Sequence, residues 1–75
     1  MCLAIPSKVI EIQDEGTVIV DTMGSKRLVS TMLLEEPAVI GDYLLINVGY
    51  AMQKIDEKEA EESLNLFREI ERKTI

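Results

Sequence analysis

A small, mainly β domain, an OB-like barrel followed by one C-terminal α-helix, is the fold class that the sequence predicts. Three observations lead there. Between residues 8 and 55, four or five short β-branched or apolar runs are separated by turns that carry glycine. At Asp56 the texture changes to a charged segment with apolar residues at helical spacing. The length, 75 residues, suits one such barrel and no second domain. The expected organisation is a single domain, 1–75, with an N-terminal arm over 1–7, the barrel over 8–55 and the helix over 56–73.

Each element has its own justification. Residues 8–13 are β-branched and nearly alternating, with Val9 and Glu11 on one face and Ile10 and Ile12 on the other. Asp14, Glu15 and Gly16 read as a turn. Residues 17–21 form a second strand that closes a hairpin with the first. Met23, Gly24 and Ser25 make the next turn, and residues 26–30 a shorter, more polar third strand. Residues 31–34 fit either a strand or a short helical turn. Pro37 ends that stretch, because it cannot donate to a ladder and restricts Glu36 before it. Gly41 and Asp42 open the most apolar run, residues 43–48, expected as a central strand. Gly49 interrupts it at a bulge or bend, and residues 50–55 resume as a fifth strand. In the last segment Asp56 has the spacing of an N-cap with an acid at N3. Ala60, Leu64 and Phe67 follow at i, i+4 and i+7, with Leu66 and Ile70 beside them, and Arg68, Arg72 and Lys73 suit the negative end of the helix dipole. Such a helix closes or plugs the barrel.

Composition excludes several functions. The chain has 14 acidic and 8 basic residues, a net charge of −6. Phosphate backbones and anionic membrane surfaces both select a basic footprint, so no nucleic acid and no membrane is expected as a partner. Three aromatic residues are too few for a base-stacking platform. There is no histidine, the usual general base near neutral pH, and the four glycines are scattered instead of clustered around a phosphate. The chain is therefore not expected to be an enzyme. One cysteine forms no disulfide within a chain, and with no leader-like or membrane-spanning run the expected location is cytoplasmic.

The single cysteine stands at position 2, before Leu3, Ala4, Ile5 and Pro6. A small second residue favours removal of Met1, which would place a thiol and an α-amine on one carbon. The neighbouring ammonium favours the thiolate, and a thiolate is a strong ligand for soft transition metals. Cys2 can equally be a small apolar residue that happens to be terminal. Asn47 stands out in an apolar run; turned inward it would need hydrogen-bond partners.

The residues Met1, Cys2, Leu3, Ala4, Ile5 and Pro6, followed by Lys8 and Val9, resemble the opening of the hydrogenase assembly chaperones of the HypC/HupF/HybG family. The run from Gly41 and Asp42 through Asn47, Val48, Gly49, Tyr50 and Ala51 is similar to that family's second motif. The resemblance covers the whole chain, its acidic character and its C-terminal helix. It implies an OB-like barrel and a maturation chaperone for nickel–iron hydrogenases, with two partners, the HypD maturation protein and the precursor of the hydrogenase large subunit. It also implies a transient iron cargo, Fe(CN)2(CO), held through Cys2. The implied partner-binding residues are Cys2, Leu3, Ala4, Ile5 and Pro6 in the arm, with Gly49 and Tyr50 in the second motif. One position departs: Asn47 stands where the family commonly has histidine, and a role of that histidine in binding iron does not carry over. The alternative is an OB-type protein-binding module that carries no metal.

Overall fold

In a computed structural model the structure describes residues 5–73, and the side chains of residues 5–70. The elements run β1 (Ser7–Asp14), β2 (Thr17–Thr22), β3 (Ser25–Ser30), β4 (Tyr43–Asn47), β5 (Tyr50–Ile55) and α1 (Glu57–Lys73). Around the barrel the strand order is β1-β2-β3-β5-β4, and β4 returns to β1 to close it. Every pairing is antiparallel except β3 with β5, which meet in parallel at the single position Ser30↔Tyr50. The mainly β barrel with one C-terminal helix is the predicted class.

The core is small and aliphatic. Val9, Val18, Val20, Val29, Leu44 and Ala51 are buried together with Ala38, and Leu34 and Ile46 pack against them. One expected face is wrong. β1 pairs Val9 with Val20 but Glu11 with Ile19, so Ile10 is an extra residue. A bulge of this kind sets two residues against one and reverses the inside-outside parity beyond it. Ile12, opposite the buried Val18, therefore shares the face of Val9, not that of Ile10.

Two hairpins close with two-residue loops. Met23-Gly24 lies between the partners Thr22 and Ser25, and Val48-Gly49 between Asn47 and Tyr50. All four residues have positive φ (50° and 96°, then 53° and 80°), the type I′ geometry that matches the twist of the flanking strands. Gly49 is thus a turn residue, and β4 ends at Asn47, one position before the expected limit. Residues 31–34 form a turn, with Leu34 N–H donating to the Thr31 carbonyl at 3.0 Å.

The helix starts after Asp56, whose carbonyl accepts from Ala60 N–H at 2.9 Å. Ala60 and Leu64 are buried and Phe67 is half-buried, whereas Leu66 and Ile70 are exposed. α1 does not plug the barrel. Leu64 and Arg68 border a hollow of about 210 Å³ with Pro6, Lys8, Asp21, Met23 and Tyr43. Lys8 is the cross-strand partner of both Asp21 and Tyr43, next to the inward Val9, Val20 and Leu44. Since side chains alternate across a strand, this row faces outward, and the helix lies on the barrel's outer wall.

Candidate functional site

Both sequence motifs converge on β4. β1 lies on one edge of β4, with Ser7↔Leu44 and Lys8↔Tyr43, and β5 lies on the other. Because β1 and β4 are antiparallel, the chain enters β1 from the side toward which β4 runs to its turn. Leu44 and Asn47 are three residues apart, about 10 Å along the strand. Cys2, Leu3 and Ala4, three of the expected site residues, lie outside the described residues.

The root of the arm is held firmly. Pro6 and Ser7 are fully buried, and Ile5 is half-buried. Ser7 Oγ lies 2.6 Å from Thr22 Oγ1 and donates to the Ile5 carbonyl at 3.4 Å. Pro6 borders the hollow under α1, where Lys8 Nζ stands 5.9 Å from the centre of the Tyr43 ring.

The β4–β5 turn is held differently. The Gly49 carbonyl accepts from Ser30 N–H at 3.0 Å, which ties the turn to the end of β3. Tyr50 is 41% exposed and Val48 86%. Asn47 is exposed too, so it needs no buried partner. The structure thus places Pro6 just before β1 and the Gly49-Tyr50 pair at the entry to β5, so the two lead into the strands on opposite flanks of β4.

Two features escaped the sequence reading. The first is a clasp behind the second motif. Asp42 Oδ2 accepts from Val39 N–H at 2.9 Å and pairs with Lys54 Nζ at 3.2 Å, while the same ammonium donates to the Pro37 carbonyl at 2.7 Å. Gly41, at φ 99°, makes the bend that brings Asp42 back over Val39. The Gly41-Asp42 pair therefore has a structural role: it fixes the long connection from β3 into β4. A glycine and an acid immediately before an apolar run were the available signal. The second is Val48, a β-branched residue with positive φ, which no propensity pattern marks. Among the described residues no three His, Cys, Asp or Glu side chains group as a metal site, and no helix is long and apolar enough to cross a membrane.

The model of the HupF/HypC family matches residues 1–67, a span that takes in the arm, all five strands and most of α1. This chain belongs to the HupF/HypC family. Among its HupF/HypC relatives, the hydrogenase maturation factor HypC of Helicobacter hepaticus is 54% identical over 70 residues, 93% of this chain and 81% of the relative. The protein of the same name from Cupriavidus necator is 47% identical over 72 residues, 96% and 79% of the two chains. The hydrogenase maturation factor HybG of Escherichia coli is 34% identical over 76 residues, 95% and 93%. These HupF/HypC proteins are named as maturation factors, not as enzymes, in keeping with the non-enzymatic reading of the composition.

Proposed function

We propose that this chain is a chaperone and adaptor in the maturation of nickel–iron hydrogenases, acting in the cytoplasm. It would bind HypD and then the precursor of the hydrogenase large subunit, and help to assemble or deliver the Fe(CN)2(CO) centre through Cys2. The observation that carries this reading is the family match over residues 1–67, which spans both motifs. The names of the relatives support the process.

The chemistry of the chain agrees. Iron(II) with cyanide and carbonyl ligands is soft, and Cys2 is the only thiol in the sequence. A closed set of four protein ligands would trap a metal, whereas one thiolate leaves positions for a recipient. In the transfer step the recipient's ligand forms its bond to iron as the Cys2 sulfur leaves with its electron pair. The iron keeps its oxidation state. Cys2 lies three positions before Ile5, a reach of at most about 11 Å, so the residue is tethered within that span of Ile5, next to the firmly held Pro6 and Ser7.

The test is Cys2→Ala, read by hydrogenase maturation in cells and by infrared spectra of the purified complex. Loss of maturation and of the cyanide and carbonyl bands, with unchanged thermal unfolding, is the expected result. Normal maturation by the variant would overturn the reading. A protein-binding module without metal would instead keep its partners and never show those bands. Mass spectrometry of the mature chain should show that Met1 has been removed.

A further inference from the structure

β5 is bonded along the length of one edge but only at its first residue on the other. β4 covers the first edge from Tyr43↔Ile55 to Asn47↔Tyr50, while β3 reaches the other edge at Ser30↔Tyr50 and nowhere further along. Beyond Ser30 the chain stays bonded only on the β2 side, where Thr31 N–H donates to the Gly16 carbonyl at 2.9 Å, and then turns, with Leu34 N–H donating to the Thr31 carbonyl. No described strand covers the outer edge of residues 52–55. Where the two segments part, a groove of about 380 Å³ opens between residues 33–36 and residues 52–54.

An open strand edge is a template for pairing, and folded proteins commonly guard one with a charge or a proline. This edge has neither guard in place. Its one cation, Lys54, is drawn away to Asp42 and the Pro37 carbonyl. The groove lining is mixed: Leu33, 54% exposed, Leu34 and Met52, 50% exposed, form its apolar part, beside Gln53 and Lys54. Glu35 and Glu36 border the same groove, and neither is ion-paired among the described residues. Backbone donors and acceptors, alternate apolar contacts and two free carboxylates together specify an extended segment that carries apolar residues and a Lys or Arg.

We propose that the open edge of β5 is a docking site where an extended apolar and basic segment of a partner protein adds as a further strand. The inference rests on the adaptor reading above, because it requires a protein partner, and it places that partner on the edge of β5 turned away from β4 and from the root of the arm. A second copy of this chain is a poor occupant: at a net charge of −6 it would bring more acid to an acidic rim.

Hydrogen exchange of the full chain, free and mixed with purified HypD or purified large-subunit precursor, tests the proposal. In the complex the amides of residues 52–55 should slow by roughly tenfold or more. The double reversal Glu35→Lys with Glu36→Lys, on exposed residues, should weaken binding by about tenfold at low salt and leave the melting temperature unchanged. Binding with no added protection at 52–55, or with no effect of the charge reversal, overturns the docking site and leaves the adaptor reading standing. No binding of the native chain to either protein sinks both. Protection at 52–55 that rises with concentration in the absence of a partner overturns the proposal in favour of self-association.

Discussion

Replacing Val48 with asparagine should stabilise the protein, although no contact is gained. Val48 sits at φ 53° in the first loop position of the β4–β5 turn, followed by Gly49 at φ 80°. A left-handed backbone brings Cβ close to the following carbonyl and costs about 1–2 kcal/mol for an ordinary L-residue. A β-branched side chain is worse suited than most. Asparagine tolerates this region, and Asn-Gly is the preferred pair for a type I′ loop. Little is lost in exchange. Val48 is 86% exposed, so about one-seventh of a full burial contribution of 1.5–3 kcal/mol is at stake, roughly 0.2–0.4 kcal/mol. The net gain is about 1 kcal/mol, which for a domain of this size raises the melting temperature by about 4–8 °C. Gly49→Ala is the matched control. A Cβ there meets nothing within 4 Å, so any loss reflects backbone strain alone, and it should be about 1–2 kcal/mol. Thermal and urea unfolding of both variants measure the pair. An unchanged or lowered melting temperature for Val48→Asn refutes the strain argument. The strain also bears on function, because costly geometry at an exposed position is kept where it serves a site. The stabilised variant should therefore bind its partner protein more weakly than the native chain.

Three other substitutions test how the site is supported. Asp42→Ala removes both the Val39 hydrogen bond and the Lys54 ion pair and should cost about 1–2 kcal/mol in urea unfolding; Asp42→Asn, which can keep the hydrogen bond, should cost less than half as much. Ser7→Ala strips the contact of the buried Ser7 hydroxyl with the Thr22 hydroxyl at the root of the arm and should cost about 1 kcal/mol, read by thermal unfolding. Leu64→Ala should cost about 2 kcal/mol or more and loosen the helix, seen as faster amide exchange in α1, whereas Leu66→Ser on the exposed side should change stability by less than about 0.5 kcal/mol.

Much of the architecture was legible because the relevant signals are local. Alternating β-branched residues, glycine at the loops and the 3.6-residue spacing of Ala60, Leu64 and Phe67 each report on a few neighbouring positions, and the observed strands and helix follow them within one residue at each end. The misses share a different cause. The bulge at Ile10 is set by the pairing of β1 with β2, so no pattern within residues 8–13 could show that Ile12 faces with Val9. The seat of α1 on the outer wall depends on Lys8, Asp21 and Tyr43 being brought together by three strands. The clasp of Asp42 with Lys54 joins the connection into β4 to the neighbouring strand β5 in the same way.

The second motif gains its meaning from that long-range part. Read as a string, Gly41 to Ala51 suggested an apolar strand with one odd asparagine. In the fold it holds a bend and clasp at one end, Gly41 and Asp42, and a strained turn tied to β3 at the other, Val48 and Gly49. Between them β4 braces β1, and with it the root of the arm. Asn47 stands exposed beside the turn, with no cluster of ligating side chains among the described residues. On the proposed reading this division of labour is what delivery requires. The barrel would fix the base from which Cys2 reaches, and the missing iron ligands would come from a partner. A cargo held so thinly would be easily passed on, and would be safe from loss only while the partner is docked. The open edge of β5 would supply that hold on the partner, so that binding persists while the iron changes hands.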